Sequence, residues 1–190
     1  MQALKKIISY HLKISLLVSF CFCFISAQPP AAKEYNLKAA FLFNFTQFVE
    51  WPSTSFSSSQ DPFIIGILGK DPFGAYLDET VSGEKINGHP LIIQRYDAIE
   101  KAGDCQILFI TQSEAKKLDN ILISLKNKNI LTISDGSNFI KDGGMIRLYT
   151  KSDKIRMQIN PEATKAAGLI VSSKLLRVAE ISTPGKKISP

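Results

Sequence analysis

The sequence predicts an α/β fold: a single domain with a mostly parallel central sheet flanked by helices, and an antiparallel hairpin at its C-terminal edge. Three observations lead there. Short apolar-rich runs recur at Phe63–Leu68, Pro90–Arg95, Gln106–Ile110 and Ile130–Ser134, with helix-start chemistry between them. Such alternation of strand and helix favours parallel strands with helices on both faces. Downstream, Ile155, Met157 and Ile159 alternate with Arg156 and Gln158, facing Met145–Tyr149 across the polar turn Thr150–Lys154. That is the pattern of a hairpin with one apolar and one wet face. Upstream of all the strands, residues 34–52 carry Tyr35, Phe41, Phe43, Phe45, Phe48 and Trp51 at helical spacing.

The aromatic segment is the most informative single stretch. At roughly 100° per residue, Leu37, Phe48, Phe41, Phe45, Val49, Leu42 and Tyr35 share one arc, with Thr46, Glu50, Asn36, Gln47 and Asn44 opposite. Phe41, Phe45 and Phe48 are therefore expected in the core. Lys38 falls within the apolar arc, where its stem is expected to pack and its ammonium to snorkel to water. Phe43 stands on the polar side, and Trp51-Pro52 closes the helix, because a residue before proline is pushed out of the helical region. Phe43 and Trp51 are the residues a core does not account for, which makes them the candidate partner or dimer surface.

Before this helix, residues 1–27 read as a signal peptide. Lys5, Lys6 and Lys13 precede the apolar run Ile14–Ile25, and Ala27 is the expected cleavage residue. Twelve residues are short for a membrane span, which needs ~20. Residues 28–33 follow as a mobile proline-alanine leader, residues 34–182 form the domain, and residues 183–190 form a flexible basic tail. The 190-residue chain holds 23 basic and 17 acidic residues, and loss of Lys5, Lys6 and Lys13 leaves 20 basic against 17 acidic. A net charge of +3 without a lysine-arginine run does not suggest a nucleic-acid partner.

After the first helix, 53–60 is a polar loop, and Phe63–Leu68 is a strand apolar enough to be buried on both faces. Asp71-Pro72 is expected to start a helix running to about Glu79. Residues 82–88 form a turn-rich link before the strand at Pro90. Asp97…Glu100 and Thr111…Glu114 have capping-box spacing, the second opening a helix to about Lys126. Asn160-Pro161 restarts a helix, and Ser172 or Ser173 caps the last one, which contains Leu175, Leu176, Val178 and Ala179.

Obvious catalytic constellations are missing. Beyond residue 27 there is one histidine, His89, and one cysteine, Cys105. Histidine clusters and cysteine pairs for a metal are excluded, and His89 beside Pro90 has no nucleophile elbow for a triad. The turn Gly69–Gly74 follows a strand and precedes a helix, but it matches neither nucleotide-binding glycine pattern, and Asp71 would repel a phosphate. No catalytic, cofactor or metal site is predicted. Three classes stay open from the residues alone: an interaction protein, a small-ligand binding protein or sensor, and an enzyme using carboxylates. The missing constellations favour the first.

Several stretches in order resemble the YfiR-like family of periplasmic repressors: Tyr35–Pro52, Ile67–Gly74, Cys105–Ile110, Leu131–Asp135, Gly143–Ile146 and Ser172–Arg177. The resemblance implies an exported, periplasmic homodimer without enzymatic activity. It would bind the periplasmic domain of a membrane-bound diguanylate cyclase and hold down cyclic di-GMP synthesis. An outer-membrane lipoprotein with a peptidoglycan-binding domain would draw the repressor away. Partners in such a family differ, so another membrane receptor or sensor kinase, served by a small-ligand binding subunit, is the alternative. Relatives with paired cysteines imply disulfide control, for which Cys105 has no partner beyond residue 27.

Overall fold

A computed structural model describes residues 30–182. The signal segment, the start of the leader and the basic tail expected at 183–190 lie outside these residues. The chain enters on helix α1, Pro30–Phe48, so residues 30–33 of the expected leader are its first turn. Strand β1, Val49–Glu50, follows directly, and then a 3-10 turn at Ser53–Ser55. Strand β2 is Phe63–Leu68, helix α2 is Ala75–Val81, β3 is Lys85–Ile86 and β4 is His89–Tyr96. Strand β5 spans Ile107–Ile110, helix α3 spans Leu118–Ser124 and β6 spans Leu131–Ser134. Then come β7 (Ile146–Lys151), β8 (Lys154–Ile159), α4 (Pro161–Ala166), β9 (Ile170–Val171), α5 (Ser173–Val178) and β10 (Glu180–Ile181).

The main sheet has eight strands in the order β10-β8-β7-β6-β5-β2-β4-β3, and β1 pairs with β9 in a separate ribbon. Strands β4, β2, β5, β6 and β7 run parallel, whereas β3–β4 and β7–β8 are antiparallel. The sheet is thus mixed, which corrects the expected mostly parallel one. The hairpin is also not the edge: β10 adds outside β8 in parallel, Glu180 opposite Gln158. Two-residue strands such as β3 and β10 are too short to carry a period-2 signal, so sequence could not show them. Ser152 and Asp153, both at positive φ (50° and 57°), form the two-residue hairpin turn, whose twist matches that of the strands.

Alternation along the central strands sends side chains to two cores. Ile65 and Ile67 of β2 and Phe109 of β5 face a core shared with α1, α2 and α5. Leu68 and Leu108 face the second core with Ile121 of α3 and Phe139. Gly144 makes room for Phe139, whose ring lies where a Cβ at 144 would stand, 2.5 Å from the ring's Cδ1.

Local start signals fared unevenly. Asn160 accepts from Ala163 N–H and Ser172 from Leu175 N–H, so both caps form as expected. Asp71 instead closes a turn: its Oδ1 accepts from Phe73 N–H at 2.7 Å, and α2 opens later, after Gly74 at φ 57°. Neither capping box forms. Asp97 pairs with Lys101 at 2.8 Å, and the Thr111 hydroxyl bonds that of Ser113 at 2.8 Å, leaving a 3-10 stretch at Gln112–Lys117 before α3. Ionic and hydroxyl partners outcompeted the helix ends for these side chains.

Candidate functional site

Helix α1 is turned relative to the face its sequence suggests. Lys38, Ala39, Leu42, Phe45, Thr46 and Val49 are buried. Phe41 and Phe48 are half-buried and pack only at the margin of the core, while Leu37 is 46% exposed. At about 100° per residue, the buried arc is centred roughly 60° from the predicted apolar arc. Thr46 enters the core by donating its hydroxyl to Phe43 C=O at 2.7 Å, which satisfies the group locally.

The rotation follows from Lys38. Its side chain is 2% exposed, so the ammonium does not snorkel, contrary to the expectation. Nζ lies 2.7 Å from Asp135 Oδ2, just past β6, and 2.7 Å from Glu34 Oε1 one turn back. Tyr35 donates its hydroxyl to the same Asp135 oxygen at 2.8 Å, and the Lys38 ammonium lies 4.4 Å from the Tyr35 ring centroid. Burial alone would raise the Asp135 carboxyl, but the Lys38 and Tyr35 hydrogen bonds outweigh it and hold the group below its ordinary value. The Tyr35 hydroxyl is pushed well above its ordinary range by burial and by the Asp135 contact. Reading the helix in isolation missed this cluster; a lysine centred between Tyr35, Ala39 and Leu42 was the available signal.

Trp51 and Phe43, the two candidate surface residues, both stand half-buried against the α1-side core. Trp51 meets Phe63 edge-on at 4.9 Å and donates its indole N–H to Gln106 C=O at 3.0 Å. Gln106 is a second residue the sequence did not single out. Its buried amide donates to Ser55 C=O at 3.0 Å and accepts from Ile64 N–H at 2.7 Å, fastening the loop after Trp51 to β2. Phe43 lies one turn before Gln47 on the flank of α1 opposite Phe41 and Phe48. Ribbon β1–β9 continues the Phe41–Phe48 flank: Ser172 N–H donates to Phe48 C=O at 2.9 Å, and nearby Ile170 is 64% exposed.

The turn after β2 leaves little for an anion. Lys70 N–H donates to Ser113 Oγ at 3.0 Å, and a Cβ on Gly69 (φ 94°) would stand 2.5 Å from Thr111 Oγ1. His89 is held by Asp61 C=O at 2.7 Å and stacks on Phe56 with ring centroids 3.9 Å apart. Cys105 is buried, and burial pushes its thiol up to about 12, which makes it unreactive. The position whose Cβ would stand 3.3 Å from its sulfur is held by Gly66 on β2. Among the described residues no group of His, Cys, Asp and Glu has metal-binding spacing, and no helix is long and apolar enough to cross a membrane.

No curated protein matches the chain. The sequence profile of the YfiR/HmsC-like family matches residues 35–180, from Tyr35 of the Asp135 cluster through the last strand's first residue, and on that span the chain is a member of the YfiR/HmsC-like family.

Proposed function

We propose that the protein is an exported, non-enzymatic regulator that binds the periplasmic part of a membrane signalling protein. Family membership over residues 35–180 carries this reading and favours a diguanylate cyclase as the partner, with cyclic di-GMP synthesis held down. The regulator acts by stabilising the partner's inactive state, and so needs a surface rather than a catalytic site. The apolar flank of α1 left outside the core by the Lys38–Asp135 pair, with Leu37, Phe41 and Phe48, suits that surface. Phe43 and Trp51 on the other side of the helix are the second candidate contact. A homodimer, and release by a peptidoglycan-binding lipoprotein of the outer membrane, complete the proposal.

The test is co-expression with a membrane diguanylate cyclase from the same cell, with cyclic di-GMP measured by mass spectrometry. The full chain is expected to lower the nucleotide, and a chain lacking residues 1–27 is expected to leave it unchanged. An exported, folded chain that leaves it unchanged for every such cyclase counts against the reading. A small-ligand subunit for a sensor kinase is the second reading, and the cleft beside Trp51 is the observation that favours it.

A further inference from the structure

A cleft of about 670 Å³ opens between the end of α1, β1 and the β3–β4 hairpin. Its volume falls in the ~300–1,000 Å³ range of small-molecule sites. Its aromatic lining is Trp51, Phe56, Phe63 and His89. All four rings are held by contacts within the protein: Trp51 by Gln106 C=O and by Phe63 edge-on, and His89 by Asp61 C=O and the stacked Phe56. A ligand would pay little ordering cost against such a wall.

The polar lining is of a different kind. Gln47, Glu50, Lys85 and Asn87 border the cleft, all exposed, and among the described residues none of these four side chains has a hydrogen bond or ion pair within the protein. Two amides, one carboxylate and one ammonium supply both donors and acceptors. A wholly apolar ligand would leave these groups without partners. A phosphorylated one would set its charge against Glu50 with only Lys85 to balance it. A pyranose ring meets both requirements, because it has an apolar C–H face for an aromatic ring and a rim of hydroxyls that both donate and accept.

We propose that this cleft binds a neutral saccharide, with an aromatic side chain under the ring face and Gln47, Glu50, Lys85 and Asn87 on its hydroxyls. The chain has one tryptophan, so emission excited beyond the tyrosine absorption band reports on Trp51 alone. The purified protein is titrated with cellobiose and with di-N-acetylchitobiose, and with mannitol as an acyclic polyol. A saturable emission change with at least one disaccharide and none with mannitol is expected. The sugar that saturates tells a plain hexose from an N-acetylated glycan end. Gln47→Ala/Asn87→Ala is expected to weaken binding at least tenfold without moving the melting temperature. The proposal is overturned if neither disaccharide gives a saturable signal by fluorescence or calorimetry, if mannitol acts alike, or if the double variant binds undiminished. Partner binding is read separately through Phe41, on the flank of α1 opposite the cleft.

Discussion

Lys38 Nζ and Asp135 Oδ2 lie 2.7 Å apart, 97 residues apart in sequence, with both side chains buried. Removing one member of a buried pair strands the other charge, at a cost of about 3–5 kcal/mol. Lys38→Met is therefore expected to destabilise the domain by about that much in urea unfolding. Adding Asp135→Leu should recover most of the loss, because the one carboxylate left without Lys38, that of Glu34, is 34% exposed and can be solvated. A double variant as unstable as the single one would show that the pair's own attraction, rather than the stranded charge, sets the cost.

The same pair sets an acid dependence. The folded Asp135 carboxyl lies below its ordinary value of 3.8, so the folded state holds fewer protons than the unfolded chain near that pH. The pair's stabilisation is complete above the unfolded value and drains away as pH falls through the folded one. Unfolding free energies measured from pH 7 down to pH 2 should fall more steeply below pH ~4 for the native chain than for Lys38→Met/Asp135→Leu. Parallel curves would place the titration elsewhere.

Two glycines are expected to resist enlargement. A Cβ at Gly66 would stand 2.6 Å from Tyr96 Cε2 and 2.9 Å from Leu108 Cδ1, inside the second core. Gly144→Ala would drive into the Phe139 ring. Overpacking of this kind costs typically ~1–3 kcal/mol, measurable as a lowered midpoint in thermal melts. Gly103→Ala, where the nearest atom is Lys128 Nζ at 3.6 Å, is the tolerant control. A Gly66→Ala melt identical to that control would mean the neighbouring rings move aside freely.

Cys105 is expected to be inert and dispensable. Its buried thiol should not react with a thiol reagent in the native state, and should react on unfolding. Cys105→Ala should cost about 1 kcal/mol, the central value for point substitutions, and leave the proposed repression intact. A folded variant that loses a repression shown by the native chain would assign the thiol a role the geometry does not give it.

The legible parts of this fold were the locally determined ones. Phe63–Leu68 and Gln106–Ile110 announced strands because burial on both faces leaves a continuous apolar run. Asn160 and Ser172 announced helix starts because a cap bonds within three residues. The α1 orientation was not legible. Its hydrophobic arc pointed towards Phe41 and Phe48, but Asp135 drew Lys38 inward and turned the helix on its axis. A partner 97 positions away leaves no trace in helical periodicity. Trp51 was legible as a residue to be explained, whereas its fixing by Gln106 C=O came from backbone geometry that sequence does not encode locally.

The flank of α1 outside the core, rather than its core face, is the proposed partner surface. The most direct test measures binding of Phe41→Glu, Phe43→Glu and Phe45→Glu variants to the periplasmic domain of the proposed partner cyclase, alongside thermal melting and sedimentation equilibrium. Phe45 is fully buried, so its variant should unfold the domain by placing an unpaired charge in the core. Phe41→Glu should melt close to the native chain yet bind at least tenfold more weakly, since a hot-spot ring is worth ~2 kcal/mol or more. Phe43→Glu tells whether the second flank shares the contact. Native affinity in a well-folded Phe41→Glu and in Phe43→Glu would contradict the account, because helix α1 would then be scaffold and the partner surface would lie elsewhere.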